Sequence, residues 1–441
     1  MNYLQVKKLD VKRKLSDGTS VFVGELAQNK QGVYFQYDDN YLAKFNNLSP
    51  FNLNADTSLQ IAPATPHNGL HGAFSDSLPD GWGLLLMDRI FRQADILPSQ
   101  ITAMDRLSFV GNGAMGALSF SPTSELKQQS DISQISIAEL GMQAQAIFDG
   151  QTSDVLQALV NAGSSGGARP KAQLYLNDND NNYCSTSSSQ NNQAYLVKFT
   201  SSQLSLGHEE GICEAAYLSL AKTAGIDVPE WKLLDAPEKS GAEKWLAVKR
   251  FDTIKNKSSG KNTAENNVAT EGRLHLHSAC GLLDADFRMP SLDYEDLIKA
   301  SSLLCKSPAA GQAMFRRMIF NLFGLNQDDH SKNWAFLQDD IGKWQLAPFY
   351  DITYSPTPFN EHSTAFSGFG KTPSLQVMKK LAAHANFSNW KEAQQVIQEV
   401  VDAINNFANV AKTLNVKTDT IKLISKQLDN VYNENKILLT V

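Results

Sequence analysis

The chain has 441 residues, enough at roughly 150 per domain for two or three folding units. Hydrophobic residues make up 42% and charged residues 20%, a balance that excludes a disordered or fibrous chain. With 40 Lys and Arg against 46 Asp and Glu the formal net charge is −6, so the chain as a whole is no basic nucleic-acid binder, although charge distribution leaves room for a local basic patch.

The opening segment, MNYLQVKKLDVKRK, carries charge with no apolar run behind it, so no signal peptide is predicted. No stretch approaches the ~18 uninterrupted apolar residues of a membrane span. Cys184, Cys213, Cys280 and Cys305 lie far apart with no CxxC pair, which argues against a zinc ribbon and against a disulfide-stapled secreted scaffold. A soluble cytoplasmic protein with no membrane partner is the expectation.

VFVGEL and GVYFQYD alternate as half-buried strands do, joined by the polar NKQG turn. LPDGWGLLLMDRIFRQA starts at a Pro-Asp-Gly turn and continues as a helix. RLSFVGNGAMGALSF predicts two strand-like runs around a Gly-rich turn; its glycines precede a strand, so they are no dinucleotide fingerprint. A helical pattern runs from about 135 to 161, and the strands AQLYL, AYLVKF and KWLAVKRF follow. Between the first two, NDNDNNYCSTSSSQNNQ predicts an exposed polar hairpin loop. ICEAAYLSLAKTA is a helix with Gly225 as its C-terminal cap, and KNKSSGKNTAENN is a mobile loop. His275 and His277 alternate along a strand-like run; two histidines without placed partners read as core or loop residues, not metal ligands. Beyond 290 the stripes Met314, Phe315, Met318, Ile319, Leu322, Phe323 and Ile397, Val400, Val401, Ile404, Phe407 are helical. Strands precede helices, which predicts segregated α+β layers.

The chemistry concentrates in GLNQDDHSKNW and LAPFYDIT. Asp328 and Asn333 stand five residues apart, and Asp351 follows Asp328 by 23. Phosphoryl transfer to a hydroxyl needs a carboxylate at the hydroxyl and two oxygen ligands for magnesium, and kinase catalytic loops supply them in this order. Upstream, Lys198 sits in the strand AYLVKF, where its ammonium could meet ATP phosphates. Glu214 opens the next helix as a candidate partner for it. GSSGGARPK lacks the Walker pattern, yet consecutive glycines let backbone amides approach phosphate, with Arg169 or Lys171 adding charge. KWLAVKRFD is the candidate strand between two lobes, beside an adenine pocket. The chain has neither G-x-S-x-G nor H-E-x-x-H, so hydrolase chemistry has little support.

Taken in order, SSGGARPK, AYLVKF, LAVKRFD, NQDDHSKNW and LAPFYDIT, with FSDSLPDGWG and GNGAMGALSF nearer the start, resemble the HipA family, the serine/threonine-kinase toxins of bacterial HipBA toxin–antitoxin modules. The resemblance spans almost the whole chain. It implies a two-lobed, protein-kinase-like α+β fold: a β-rich N-terminal subdomain over 1–125, an N-lobe with the ATP loop over 126–255, and a mostly helical C-lobe over 256–441. Carried over residue by residue, it implies Asp328 as catalytic base and Asn333 and Asp351 as ligands of Mg2+. Lys198 becomes the phosphate-binding lysine, and Gly166, Gly167, Ala168, Arg169, Pro170 and Lys171 the ATP loop. Lys249, Arg250 and Phe251 fall beside adenine, and His330, Lys332 and Tyr350 at the nucleotide. Ser164 resembles the serine that these kinases phosphorylate on themselves, with Ser165 adjacent. Lys249 stands where some relatives carry Glu, and Asp329 where others carry Gly, which bears on nucleotide preference. The implied partners are a HipB-like helix-turn-helix antitoxin, operator DNA through the antitoxin complex, and glutamyl-tRNA synthetase as protein substrate. The residues leave two other readings open. The Asp328 loop is also close to those of lipid and small-molecule kinases, and the chain could act as a catalytically silent co-repressor.

Overall fold

Alternation of apolar and polar residues builds the first sheet. In the strand Lys8–Lys14 the side chains of Leu9, Val11 and Arg13 turn inward, and their neighbours turn to the other face. The computed structural model describes residues 3–126, 134–152, 157–162, 166–177, 180–256 and 271–440. Five antiparallel strands lie in the order Gln60–Ile61, Val33–Tyr37, Ser20–Gln28, Lys8–Lys14 and Leu118–Ser121. Their inner face packs Leu26, Phe35 and Phe120 against Phe74, Met104 and Leu107.

The predicted helix after the Pro-Asp-Gly turn forms as Gly81–Gln93. The first half of RLSFVGNGAMGALSF is no strand. It belongs to the helix Ala103–Val110, started by a reciprocal cap in which Thr102 Oγ1 accepts the Asp105 N–H and the Asp105 carboxylate accepts the Thr102 N–H. Met104 and Leu107 enter one core and Phe109 and Val110 another, and Asp105 and Ser108 are buried as well, so this short helix is buried nearly all round and shows no clean apolar stripe.

A second antiparallel sheet has six strands, in the order Trp231–Asp235, Lys244–Lys249, Asn192–Lys198, Lys171–Asn177, Asp180–Ser185 and Ile135–Ser136. The strand Asp180–Ser185 corrects the expectation of a plain hairpin loop: its ladder needs only backbone groups, and Cys184 supplies the one deeply buried apolar anchor in a polar run. The helical pattern of 135–161 divides into Ile137–Phe148 and Gln157–Ala162. Gly225, at φ +73°, follows the helix Glu210–Thr223 as expected of a cap. The loop KNKSSGKNTAENN falls, from residue 257 on, outside the described residues.

The rest is mainly helical, as predicted. Tyr294–Leu304, Pro308–Gly324, Trp390–Asn405 and Thr418–Asn435 share one large core with the helix Glu210–Thr223. A three-stranded sheet, His275–Ser278, Ala335–Gln338 and Trp344–Leu346, faces the cleft side. The last of these stops at Leu346, so Asp351 lies beyond the strand that was expected to end at it, at φ +55°. His275 and His277 are core residues, both fully buried. Among the described residues no cysteine is in a disulfide, and no helix is long and apolar enough to cross a membrane.

Candidate active site

Register brings two lysines side by side. Lys171 and Lys198 are directly paired on adjacent strands, a like-charge neighbourhood that needs counter-anions to be tolerated. Lys198 Nζ donates to Glu214 Oε1 and to Asp351 Oδ1, each at 2.6 Å. Burial alone would lower the Lys198 pKa, but Asp351 and Glu214 reverse this and raise it, so the ammonium stays charged. Asp351 shows the mirror effect: burial works to raise its carboxyl, and Lys198, Lys171 and Arg169 hold it below the usual range. Glu214 sits in the second turn of Glu210–Thr223, not the first, one turn below the helix start and facing the sheet. Lys171 is lowered by burial and donates to the Gly166 carbonyl at 2.7 Å.

The opposite wall comes from the loop after the helix Pro308–Gly324. Asn333 Nδ2 donates to the Asp328 carbonyl at 2.6 Å, which closes the loop and turns the Asn333 side chain into the cleft. Trp334 Nε1 and Thr364 Oγ1 donate to the Asp329 carbonyl. The Asp329 carboxylate accepts from Tyr294 Oη and the Ser363 and Thr364 amides and bonds the His362 ring, so Asp329 fastens the loop to the segment behind it. The Asp328 side chain is left 58% exposed, 3.7 Å from His330 Nε2, and partial burial together with Asp351 raises its carboxyl above the usual range.

Between these walls runs a cleft. Of the residues singled out in the sequence, Gly166, Gly167, Lys171, Lys198, Glu214, Lys249, Arg250, Phe251, His330, Lys332, Asn333, Tyr350 and Asp351 line it. Leu196, Leu218, Val248 and Leu276 give it an apolar floor, and the rings of Phe251 and Tyr350 lie 5.4 Å apart at one end. Asp328, Ala168, Arg169 and Pro170 are not among the lining residues: Arg169 pairs with Glu210 at 3.1 Å, and the Pro170 carbonyl extends the sheet by accepting the Phe199 amide. Arg250 reaches the cleft, but its guanidinium is committed to Asp252, Gln173 and the Ala114 carbonyl. Lys249 pairs with Glu230 at the rim, at 2.7 Å. Ser164 and Ser165 lie outside the described residues.

Two carboxylates of the N-terminal unit were not found from sequence. Asp76 lines the cleft and accepts the Ser278 amide at 2.7 Å, and Asp80 bonds the Gly167 amide and Lys332. Both lie in FSDSLPDGWG, where an aspartate reads as a turn residue. Asp76, His277 and Ser49 also form an Asp–His–Ser chain, at 2.6 and 2.9 Å. Ser49 and His277 are sealed in the core, so the chain ties the N-terminal unit to the strand His275–Ser278 and offers no nucleophile.

An ionised Asp351 and the side-chain oxygen of Asn333 on one cleft are hard donors that fit Mg2+, which commonly takes one or two protein oxygens and completes its shell with phosphate and water. Among the described residues no cluster of three or more His, Cys, Asp or Glu side chains could hold a metal by protein ligands alone.

An antiparallel sheet lobe over a helical lobe, with a lysine–glutamate pair on one side of the cleft and an Asp–Asn loop on the other, is an α+β kinase-like fold. The HipA-like C-terminal domain matches residues 163–408 and the HipA N-terminal domain residues 19–121, so the chain belongs to the HipA family. The fold is similar over 98% of this chain and 99% of the other to HipA in the Shewanella oneidensis MR-1 toxin–antitoxin complex of HipA, HipB and operator DNA, with TM-score 0.69 at 18% identity. In sequence the chain is 26% identical over 291 residues, 59% of its length, to "Putative kinase Y4dM" of Sinorhizobium fredii. It is 28% identical over 204 residues, 46% of its length, to a Haemophilus influenzae protein named "Putative kinase". The matches span 65% and 55% of those two relatives.

Proposed function

We propose that this chain is an ATP-dependent serine/threonine protein kinase and the toxin of a toxin–antitoxin pair. The observation that supports this most is the buried Lys198 ammonium between Glu214 and Asp351, on the same cleft as Asn333. Lys198 and Lys171 bind the ATP phosphates, with the Gly166–Gly167 backbone over them. The apolar floor and the Phe251 and Tyr350 rings take the adenine. Asn333 and Asp351 hold Mg2+, which when bound neutralises developing phosphate charge. Asp328, exposed on the same loop as Asn333, orients the acceptor hydroxyl and takes its proton as the hydroxyl oxygen bonds to the γ-phosphorus. The bond from that phosphorus to the β,γ-bridging oxygen breaks, and ADP leaves with the electron pair.

The domain division at 125 and 255, self-phosphorylation at Ser164 or Ser165, a HipB-like antitoxin bound with operator DNA, and a translation-related substrate such as glutamyl-tRNA synthetase belong to the same reading. So does a cytoplasmic location. Family membership and the HipA–HipB–operator DNA complex of the similar Shewanella protein support the antitoxin pairing. The test is incubation with γ-labelled ATP and Mg2+ in the presence of separate protein, lipid and sugar acceptors. Label on serine or threonine of protein is expected. Label on lipid or sugar alone, or no transfer at all, would overturn the proposal.

A further inference from the structure

Asp80, like the cleft-lining Asp76, comes from the N-terminal unit; its side chain is only 10% exposed, and its carboxylate joins one residue of each wall of the cleft, Gly167 and Lys332. Oδ1 accepts the Gly167 N–H from the sheet lobe, and Oδ2 accepts Lys332 Nζ at 2.8 Å from the helical lobe. The adjoining helix start reinforces the hold: the Trp82 amide donates to the Gly167 carbonyl at 3.0 Å and its indole to the Lys171 carbonyl at 2.9 Å. The fit is tight, since a Cβ on Gly81 would lie 2.6 Å from the Gly167 carbonyl oxygen and one on Gly166 would lie 2.9 Å from Asp80 Oδ2. Lys332 Nζ also lies over the ring of Phe287, 4.4 Å from its centre.

We propose that Asp80 is a positioning residue for the nucleotide, a carboxylate of the N-terminal unit that holds the Gly167 backbone and the Lys332 ammonium in place before ATP arrives. The inference rests on the ATP-cleft reading. Glycine backbone loses more freedom on ordering than any other, and Gly167 at φ +99° occupies a region that other residues rarely enter. A loop already fixed gives up less on binding than one that must be ordered by its ligand. Lys332 likewise has a long flexible stem, and an anion and an aromatic ring at its ammonium narrow the orientations open to it. Asp80 does not touch the reacting atoms; it acts through the two groups it binds.

The experiment compares unaltered protein, Asp80→Asn, Lys332→Met and the double variant by Mg-ATP calorimetry, with amide hydrogen exchange of the nucleotide-free proteins and thermal unfolding as a fold check. Asp80→Asn keeps the side-chain volume and removes the charge. It is expected to weaken Mg-ATP binding about tenfold and to speed exchange at Gly167. In the Lys332→Met background the same change is expected to cost less, because one of the two groups that Asp80 holds is already gone. Should Asp80→Asn fail to fold, exchange at Gly167 in Lys332→Met decides, because loss of the bridge frees the loop from the other side. Unchanged affinity with unchanged exchange would overturn the proposal, as would full additivity. Tighter Mg-ATP binding in Asp80→Asn would also overturn it, by making Asp80 a competitor of phosphate. If the unaltered protein bound no Mg-ATP, the ATP reading would fall, and loop exchange alone would still decide whether Asp80 holds Gly167.

Discussion

Asp328 and Asp351 have the same side chain in unlike surroundings, and the difference fits the two roles proposed for them. Asp351 is held by the Lys198 ammonium and kept ionised, which suits the metal ligand proposed there. Asp328 is more than half exposed, with the His330 ring 3.7 Å away, as suits the proposed role of reaching an incoming hydroxyl. Asp328→Asn is therefore expected to lower phosphoryl transfer by ~10²-fold or more while shifting stability by less than about 0.5 kcal/mol. Transfer at near the unaltered rate, or a large loss of stability, would remove Asp328 from the chemistry. His71 carries a different prediction. It is 3% exposed, and burial pushes its imidazole from 6.5 down to about 4. Between those values the unfolded chain binds a proton that the folded chain refuses, so stability falls as pH drops through that window. The loss is on the order of 3 kcal/mol. Urea unfolding at pH 7.5 and 4.5 measures it, and His71→Phe is expected to flatten the slope; an equal slope in both proteins would clear His71.

At the scale of elements, the helix Ile137–Phe148 lies on the second sheet through Gly141. A Cβ there would come within 2.1–2.6 Å of three ring atoms of Trp245, which is fully buried. Gly141→Ala sets two effects against each other. Alanine favours the helix by about 1 kcal/mol, and overpacking a closed core costs about 1–3 kcal/mol. With three contacts this short and a ring that has nowhere to retreat, the clash wins, and the urea midpoint is expected to fall. A midpoint unchanged or raised would show that the ring moves. The same scale decides what was legible beforehand. Asp328, Asn333 and Asp351 are close in the chain, so spacing alone suggested a shared cleft, and Lys198 followed by Glu214 could be read as strand then helix. Asp80 had no such signal, because its partners Gly167 and Lys332 lie 87 and 252 residues away. The helix Ala103–Val110 leaves no clear signal because its apolar residues turn toward two cores and its buried positions include Asp105 and Ser108. The strand Asp180–Ser185 was missed because its polar sequence hides a backbone ladder.

Across the whole molecule, Arg13 is the longest-reaching tie. It is fully buried on the first sheet and donates to Tyr41 Oη, to Gln338 Oε1 at 3.0 Å and to the Asp339 carbonyl at 2.8 Å, in the hairpin behind the cleft. Hydrogen bonds from a charged donor contribute about 1.5–3 kcal/mol, and removing it leaves buried acceptors unmatched. Arg13→Met is expected to lower stability by about 2–4 kcal/mol and to loosen the N-terminal unit first. Denaturation followed separately by Trp fluorescence and by limited proteolysis of residues 3–121 reads both effects. Coincident, unshifted transitions would show that the ion is dispensable.

The long reach of these ties also sets an order of events during synthesis. Asp80 leaves the ribosome 252 residues before Lys332, and Arg13 leaves 325 residues before Gln338. At about 5–20 residues per second these partners are apart for roughly 10–65 s. No nascent chain shorter than Asp351 holds both walls of the cleft. Nascent chains that stop short of Asp351 therefore lack the complete site, whatever else of the fold they have already formed.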